Sequence, residues 1–286
     1  MNSSQYLSKA QQLLRAAHQY EQLGDVYHAT KLYKAVIKIA PENGFPYQQL
    51  SKIYRQRREW KPTLYYSEEA INKKVHDQDI WNNLAMAATA LRKWKLAKKA
   101  LQKVTVNVPV HSFQPIPIRI HTRTKRSEIV WALPLEALCA KIISIPSPES
   151  GRRYGEIVLY DWKSKEKQIV SQKTHRVFLE IERFKKSFYR TFSVLIHTDN
   201  ASSIQKLAEL CHNQQLGFEN WSNLQHQLAT QSENRAAEYY ESTQQEQDLG
   251  YQLIAIAALE KQEVREVLKV WQLITLQEYS WLDEHE

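Results

Sequence analysis

Three consecutive stretches decide the fold: residues 10–43, AQQLLRAAHQYEQLGDVYHATKLYKAVIKIAPEN; residues 44–77, GFPYQQLSKIYRQRREWKPTLYYSEEAINKKVHD; and residues 78–111, QDIWNNLAMAATALRKWKLAKKALQKVTVNVPVH. Each is 34 residues long, and they agree in kind position by position. The fourth positions are Leu13, Tyr47 and Trp81, and the eighth are Ala17, Ser51 and Ala85. Position seventeen carries Val26, Trp60 and Trp94, and position twenty carries Ala29, Thr63 and Ala97. Pro41 and Pro109 stand 68 residues apart, which is two periods. Within the first stretch, Leu13, Ala16, Ala17 and Tyr20 recur at helical spacing and make one apolar stripe. Gly24-Asp25 then ends that helix and starts another, glycine tolerating the left-handed turn and Asp25 capping the amides that follow. The second helix carries Ala29, Leu32, Tyr33, Val36 and Ile37 and stops at Pro41.

A 34-residue period with aromatic and small residues so placed resembles the tetratricopeptide repeat (TPR) family over residues 10–111. The resemblance implies a solenoid of three helix pairs and a binding scaffold, with residues 1–9 or the segment after 111 capping the stack. The second repeat departs most from the family pattern. Thr63 stands at position twenty, Ser67 replaces an aromatic at twenty-four, and Val75 stands where proline is usual. Pro62 falls in the first turn of its helix, where a missing N–H costs little.

The resemblance also implies a concave groove lined by the first helix of each pair. Carried onto this chain, the groove positions include Arg15 and His18, then Phe45, Gln48, Gln49, Lys52 and Arg55, then Asn82, Asn83, Met86 and Thr89. The partner-binding set expected from it is Arg15, His18, Gln48, Gln49, Lys52, Arg55, Asn82 and Asn83. Family members that grip a C-terminal carboxylate carry lysine and asparagine where this chain has Leu14 and His18, so that clamp is not implied. Arg15, Lys52 and Arg55 suit an acidic or extended peptide, against the plainer reading of solvated charges. A further basic run, Arg57, Arg58, Lys61, then Arg92, Lys93, Lys95, Lys98, Lys99 and Lys103, is interleaved with Trp60 and Trp94. Cations beside aromatic faces suit nucleic acid, but both tryptophans occupy the core position seventeen.

Charge is spread unevenly along the chain. Residues 1–111 hold 18 Lys/Arg against 8 Asp/Glu (+10), residues 112–215 hold 17 against 10 (+7), and residues 216–286 hold 4 against 13 (−9). Together with the change in patterning, these divide the chain into a repeat domain (1–111), a mixed α+β domain (112–215) and an acidic helical region (216–286). The fold class read from this is mainly α with an α+β middle. An acidic partner for the front of the molecule follows, or an acidic tail folded onto it or onto a second copy.

Several chemistries are disfavoured. The six glycines, at 24, 44, 151, 155, 217 and 250, never cluster as a phosphate-cradling loop requires. Cys139 and Cys211 are isolated and read as buried thiols of a cytoplasmic protein. No secretory leader is visible in MNSSQYLSKAQQLLRAAHQYEQ, and Ile129–Ile145, broken by Pro134, Glu136 and Lys141, is too short for a membrane span. No cofactor or metal motif stands out, and neither CxxC, HExxH nor GxSxG occurs.

After Pro109, prolines gather and runs of Ile and Val replace the helical period. Strands are expected at Ile116–His121, Ile129–Leu133, Lys141–Ile145, Glu156–Tyr160, Gln168–Ser171 and Phe192–His197, with SPESGRR as a hairpin loop or mobile connection. Val177, Phe178, Ile181, Phe184 and Phe188 favour a helix, and another is expected from Ser202 to Gln214. His197 and Asp199 are the chemical candidates at a strand end, but Asp199, Asn200 and Ser202 are ordinary N-cap material, and capping is the favoured reading. From Phe218 the chain reads helical: Asn220–Ala229, Glu233–Gln247, an apolar buried Leu249–Leu259, and a final helix striped by Val264, Val267, Leu268, Trp271 and Ile274. These features favour a non-enzymatic adaptor docking a protein or acidic peptide. The alternatives are an enzyme or enzyme subunit with chemistry in 112–215, and a nucleic-acid-associated protein.

Overall fold

Six helices follow one another at the repeat spacing: α1 (Ser3–Gln22), α2 (Val26–Ile39), α3 (Gly44–Gln56), α4 (Trp60–Asn72), α5 (Gln78–Ala90) and α6 (Trp94–Leu101). The computed structural model describes residues 3–104, 114–121, 127–164, 166–170, 173–222 and 250–285. The chain divides into two compact units, residues 1–108 and 109–286.

In the N-terminal unit, α1 packs on α2, α3 on α4 and α5 on α6, with α2 against α3 and α4 against α5 joining the pairs. Position seventeen, Val26, Trp60 or Trp94, is the first residue of each second helix. The turn before it repeats atom for atom. The amides of Asp25, Glu59 and Lys93 donate to the carbonyls of Tyr20, Tyr54 and Ala88 at 2.8, 2.9 and 2.8 Å, closing the helix ends with the same six-residue bond. The residue before each of these amides is left-handed: Gly24 (φ 78°), Arg58 (57°) and Arg92 (58°). Asp25 caps α2, its carboxylate accepting from the His28 amide at 3.0 Å. Ala17, Ala29, Tyr33, Leu50, Ile53 and Tyr54 form one core cluster, and Tyr47, Ala70 and Ile80 continue it. Residues 3–9 extend α1 beyond the repeat boundary.

The C-terminal unit begins with strands β1 (Ile116–His121), β2 (Ser127–Pro134), β3 (Cys139–Ile142), β4 (Ile157–Asp161), β5 (Lys167–Val170), β6 (Lys173–Arg176) and β7 (Phe178–Lys185). Strands β1, β2, β3, β4 and β7 close a barrel, while β5 and β6 pair as a separate ribbon. All barrel neighbours are antiparallel except β7 on β1, which closes the ring in parallel. Ile118, Ile120, Val130, Ala132, Val158 and Tyr160 are fully buried, and the Tyr160 and Phe178 rings meet edge-on at 5.5 Å.

The helix expected over Val177–Phe188 is therefore a strand. Its apolar residues fit a 3.6 period by coincidence, because the alternating positions are filled by ion-paired residues. Glu180 pairs with Arg152 at 2.6 Å and Arg183 with Glu156 at 3.0 Å, so the buried Glu180 occupies a place that simple alternation assigns to an apolar residue. The strand expected at Lys141–Ile145 lies two to three residues earlier, at Cys139–Ile142.

The remaining elements are β8 (Arg190–Ile196), α7 (Ala201–Asn213), β9 (Gly217–Asn220), β10 (Gln252–Ala258), α8 (Lys261–Thr275) and β11 (Tyr279–His285). They make an antiparallel sheet in the order β11-β8-β10-β9, a doubled split β-α-β arrangement. One face carries Phe192, Val194, Ile196, Ile254 and Ile256 against Leu207, Cys211, Val264, Val267, Leu268 and Trp271. The Trp271 indole donates to the Ser203 carbonyl at 2.8 Å. The other face packs Ala255 and Ala257 on Ile145 with Tyr154, Tyr189 and Trp221.

The final helix thus lies where its stripe places it, although Ile274 is exposed. Helical structure from Phe218 is corrected: Phe218 and Glu219 lie in β9, and the apolar run after Leu249 is largely the buried strand β10. Short apolar runs suit either element, and only pairing decides between them. Gly217 fits β9 because a Cβ there would meet Ala257 Cβ at 2.9 Å and Tyr154 Cδ2 at 3.0 Å. The expected helices at Asn220–Ala229 and Glu233–Gln247 fall mostly outside the described residues, as do the acids at 233–248. Strands β9, β10 and β11 pair with one another or with β8, so the change of charge at residue 215 does not mark an edge of this sheet.

Candidate functional site

The groove positions are filled by the first helix of each pair. Arg15, His18 and Lys52 are exposed, Gln48, Gln49 and Arg55 are half-buried, and Asn82 and Asn83 are buried. Phe45, at position two of the second repeat, is also exposed, its ring 6.4 Å from that of the buried Tyr33. The polar groups of the first two repeats are cross-tied. Lys52 Nζ lies 2.9 Å from Glu21 Oε1, while Glu21 Oε2 accepts from the Tyr33 hydroxyl at 2.9 Å. Burial and this carboxylate push the Tyr33 phenol well above its ordinary value. Gln48 donates to Asp77, and His18 shares a hydrogen bond with Gln22 at 3.2 Å. Lys52 is thus a cation fixed by one carboxylate, accessible at its outer side.

The third repeat behaves differently. Asn82, Met86 and Thr89 are fully buried and Asn83 nearly so. Asn83 Nδ2 donates to Ser51 Oγ at 3.1 Å; Ser51 Oγ lies 2.7 Å from Ser67 Oγ, which donates to the Thr63 carbonyl at 2.7 Å. This chain of bonds explains the irregular second repeat, since Ser67 replaces an aromatic where Ser51 and Asn83 supply polar partners. Asn82 and Asn83, both expected on the groove, are both buried, and Asn83 is turned onto the Ser51–Ser67 pair. Trp60 and Trp94 are half-buried at the starts of their helices.

In the C-terminal unit the capping reading of residues 198–202 matches the geometry. Asn200 caps α7, accepting from the Ser202 amide at 2.9 Å, while Thr198 Oγ1 accepts from the Asn200 amide at 3.1 Å. Asp199 is exposed. His197 Nε2 lies 2.7 Å from Ser280 Oγ and its ring 4.8 Å from that of Tyr251. The structure therefore ties His197 to β11 and does not bring Asp199 to it as a partner. Cys139 and Cys211 are buried and form no disulfide with each other, and burial pushes Cys211 up to about 12, far from a reactive thiolate. Among the described residues no group of three His, Cys, Asp or Glu is placed to hold a metal, and no helix is long and apolar enough to cross a membrane.

Sequence reasoning missed one concentration of charge. The SPESGRR loop between β3 and β4 brings Arg152 and Arg153 beside Arg183 and Lys186 at the end of β7. The misassigned period of β7 concealed it.

No family model matches the chain, and no curated protein matches it. Among solved structures, helices α1–α6 are similar to the first TPR domain of Spaghetti (RPAP3), bound in that structure to an HSP90 peptide. The identity is 20%, over 34% of this chain and 77% of that one, with a TM-score of 0.32. They are also similar to the TPR2B domain of yeast Sti1 in its Hsp70 complex, at 22% identity over 34% and 78% of the two chains, TM-score 0.31. A hypothetical protein from Neisseria gonorrhoeae is matched at 10% identity over 59% of this chain and 94% of that one, TM-score 0.27. By its own geometry, a 34-residue period of paired helices with recurring left-handed turns, the region Ser3–Leu101 is a TPR-type array.

Proposed function

We propose that the protein is a non-enzymatic adaptor that docks an acidic or extended segment of a partner protein along α1 and α3. The observation that carries this reading is the accessible face of the first two repeats: Arg15, His18, Phe45 and Lys52 are exposed together on the groove positions, flanked by Gln48, Gln49 and Arg55. Cations on this face give a carboxylate-bearing chain charged partners, and an exposed aromatic gives its side chains an apolar contact. The Spaghetti domain is bound to an HSP90 peptide in its structure, and the Sti1 domain is in an Hsp70 complex. The separate α+β unit then positions or regulates the docked partner. His197 is held by Ser280, and Asp199 is exposed to solvent.

The test is a pull-down comparing the native chain with Arg15→Glu/Lys52→Glu, with recovered partners quantified and each rebound as a pure protein. Charge reversal is expected to weaken the direct interaction about tenfold or more. Equal affinity for both chains overturns the docking face.

A further inference from the structure

We propose that the cleft between the β3–β4 loop and the β7–β8 connection is a binding site for a small ligand carrying a phosphoryl group. The cleft has a volume of about 210 Å³, and its walls include Arg152, Arg153, Glu156, Arg183, Lys186 and Ser187. This site is separate from the repeat groove and does not depend on the adaptor reading.

The charges decide its chemistry. Arg152 is held by Glu180 at 2.6 Å and Arg183 by Glu156 at 3.0 Å, each carboxylate side chain nearly inaccessible. Among the described residues Arg153 and Lys186 have no carboxylate partner. Two pairs therefore anchor two guanidinium groups, and two further cations are left uncompensated at the same opening. Burial lifts the Glu156 carboxyl above its ordinary range, while Arg183 and Arg152 oppose the rise. Arg152 gives one donor to Glu180 and Arg183 gives one to the Gly151 carbonyl, and each guanidinium keeps further donors in the planar fork that fits phosphoryl oxygens. The Ser187 and Thr191 side chains line the same space and offer neutral hydroxyls.

The array is fixed in advance. Ser147 donates its amide and hydroxyl to the buried Glu128 at 3.1 and 2.9 Å. Ser150 Oγ donates to the Ser147 carbonyl at 2.7 Å and accepts from the Arg152 amide at 3.0 Å. Arg183 reaches over to the Gly151 carbonyl. Gly155 sits at φ 80°, and a Cβ there would come within 3.0 Å of Ser187 Oγ, so the loop lies tight against the β7–β8 connection. Arg152 and Arg183, held in place, lose little freedom when a ligand arrives. The volume is below the roughly 300–1,000 Å³ of drug-sized pockets, which selects a small phosphorylated molecule.

The experiment titrates inorganic pyrophosphate into the full chain by calorimetry at about 50 mM salt, where screening is modest. Binding is expected, and Arg153→Ala/Lys186→Ala is expected to weaken it about tenfold with an unchanged melting temperature. Lys186→Ala alone, at an exposed position, is expected to lose about threefold and tests the site without touching the anchored pairs. Lys95→Ala/Lys99→Ala removes equal charge from exposed positions on α6 and is expected to leave the affinity unchanged. Absence of heat, equal binding by the cleft variants, or an equal loss in the α6 variant overturns the site. Tighter binding of a phosphoserine peptide than of pyrophosphate overturns the small-ligand assignment.

Discussion

In the repeat array, Ser51 meets Ser67 at a separation of 16 residues and Asn83 at 32, close to half a period and a whole one. In the C-terminal unit, Ile145 meets Glu219 at a separation of 74 and Arg190 meets Glu284 at 94, intervals that correspond to nothing periodic. Both regions bury polar groups by pairing them, as unpaired burial would be costly. The array finds partners one repeat away, so its irregularities explain one another. The C-terminal unit finds them across a barrel seam or a sheet edge, where local patterning holds no record of the match. Arg190 and Glu284 also show acid from the last residues neutralising a cation of the same unit, at 2.9 Å.

The sharpest way to break this comparison is to remove a contact that only long-range topology creates. Trp271 is fully buried between α8 and α7, and Trp271→Ala is expected to destabilise the C-terminal unit by about 3–5 kcal/mol. A loss in urea unfolding below about 1 kcal/mol would place Trp271 outside the core.

Next in size is a dependence on pH. Glu219 is half-buried in β9, where its carboxylate accepts from the Ile145 amide, and desolvation raises its carboxyl from 4.5 to about 7, with Glu128 adding to the rise and the Ile145 amide opposing it. An acid whose folded value is raised binds its proton more tightly when folded. Its contribution is fully present below about pH 4.5 and is lost as pH rises through about 7. The C-terminal unit is expected to lose roughly 3 kcal/mol between pH 4.5 and pH 8 from this group. Burial also raises Glu128, so its contribution runs in the same direction. Glu219→Gln is expected to flatten most of the slope in denaturation midpoints, and an unchanged slope would remove Glu219 as its source.

Within the array, Asn83→Ala leaves the Ser51 hydroxyl without its donor and opens space beside it. The expected loss is about 2 kcal/mol, measured by thermal unfolding. Ordinary surface behaviour, under about 0.5 kcal/mol, would return Asn83 to the groove. The smallest effects test the repeated turn. At Gly24 nothing lies within 4 Å of an added Cβ, so Gly24→Ala reports backbone conformation alone and is expected to cost about 1 kcal/mol. Arg58→Gly, at the equivalent left-handed position, is expected to stabilise by about 0.5 kcal/mol. Opposite signs at Gly24 and Arg58 sharpen the claim that one geometry recurs every 34 residues.

The candidate groove was legible as a set of positions, because a helical period carries residues to a face wherever the helix lies. Which of those positions are accessible was not: Lys52 is open and Asn83 is interior, though both occupy equivalent faces in the pattern. The cationic cleft was hidden for a different reason. Arg152 and Arg153 lie in a loop, Arg183 and Lys186 lie 30 or more residues later, and only the β4–β7 pairing brings them together.

The sequence by itself determined the repeat array: its period, the starts of its second helices, the left-handed turn at Gly24, and the stripe of the last helix through Val264, Val267, Leu268 and Trp271. These are local consequences of helical geometry and of what each side chain permits its own backbone. Tertiary structure alone decided that Phe178–Lys185 is a strand, that Gly217–Asn220 and Gln252–Ala258 join one sheet, and that Ile145 packs on that sheet's second face. The reason is physical. A short apolar run gains its hydrogen-bond partners from another part of the chain, and its conformation is fixed only when that partner is in place.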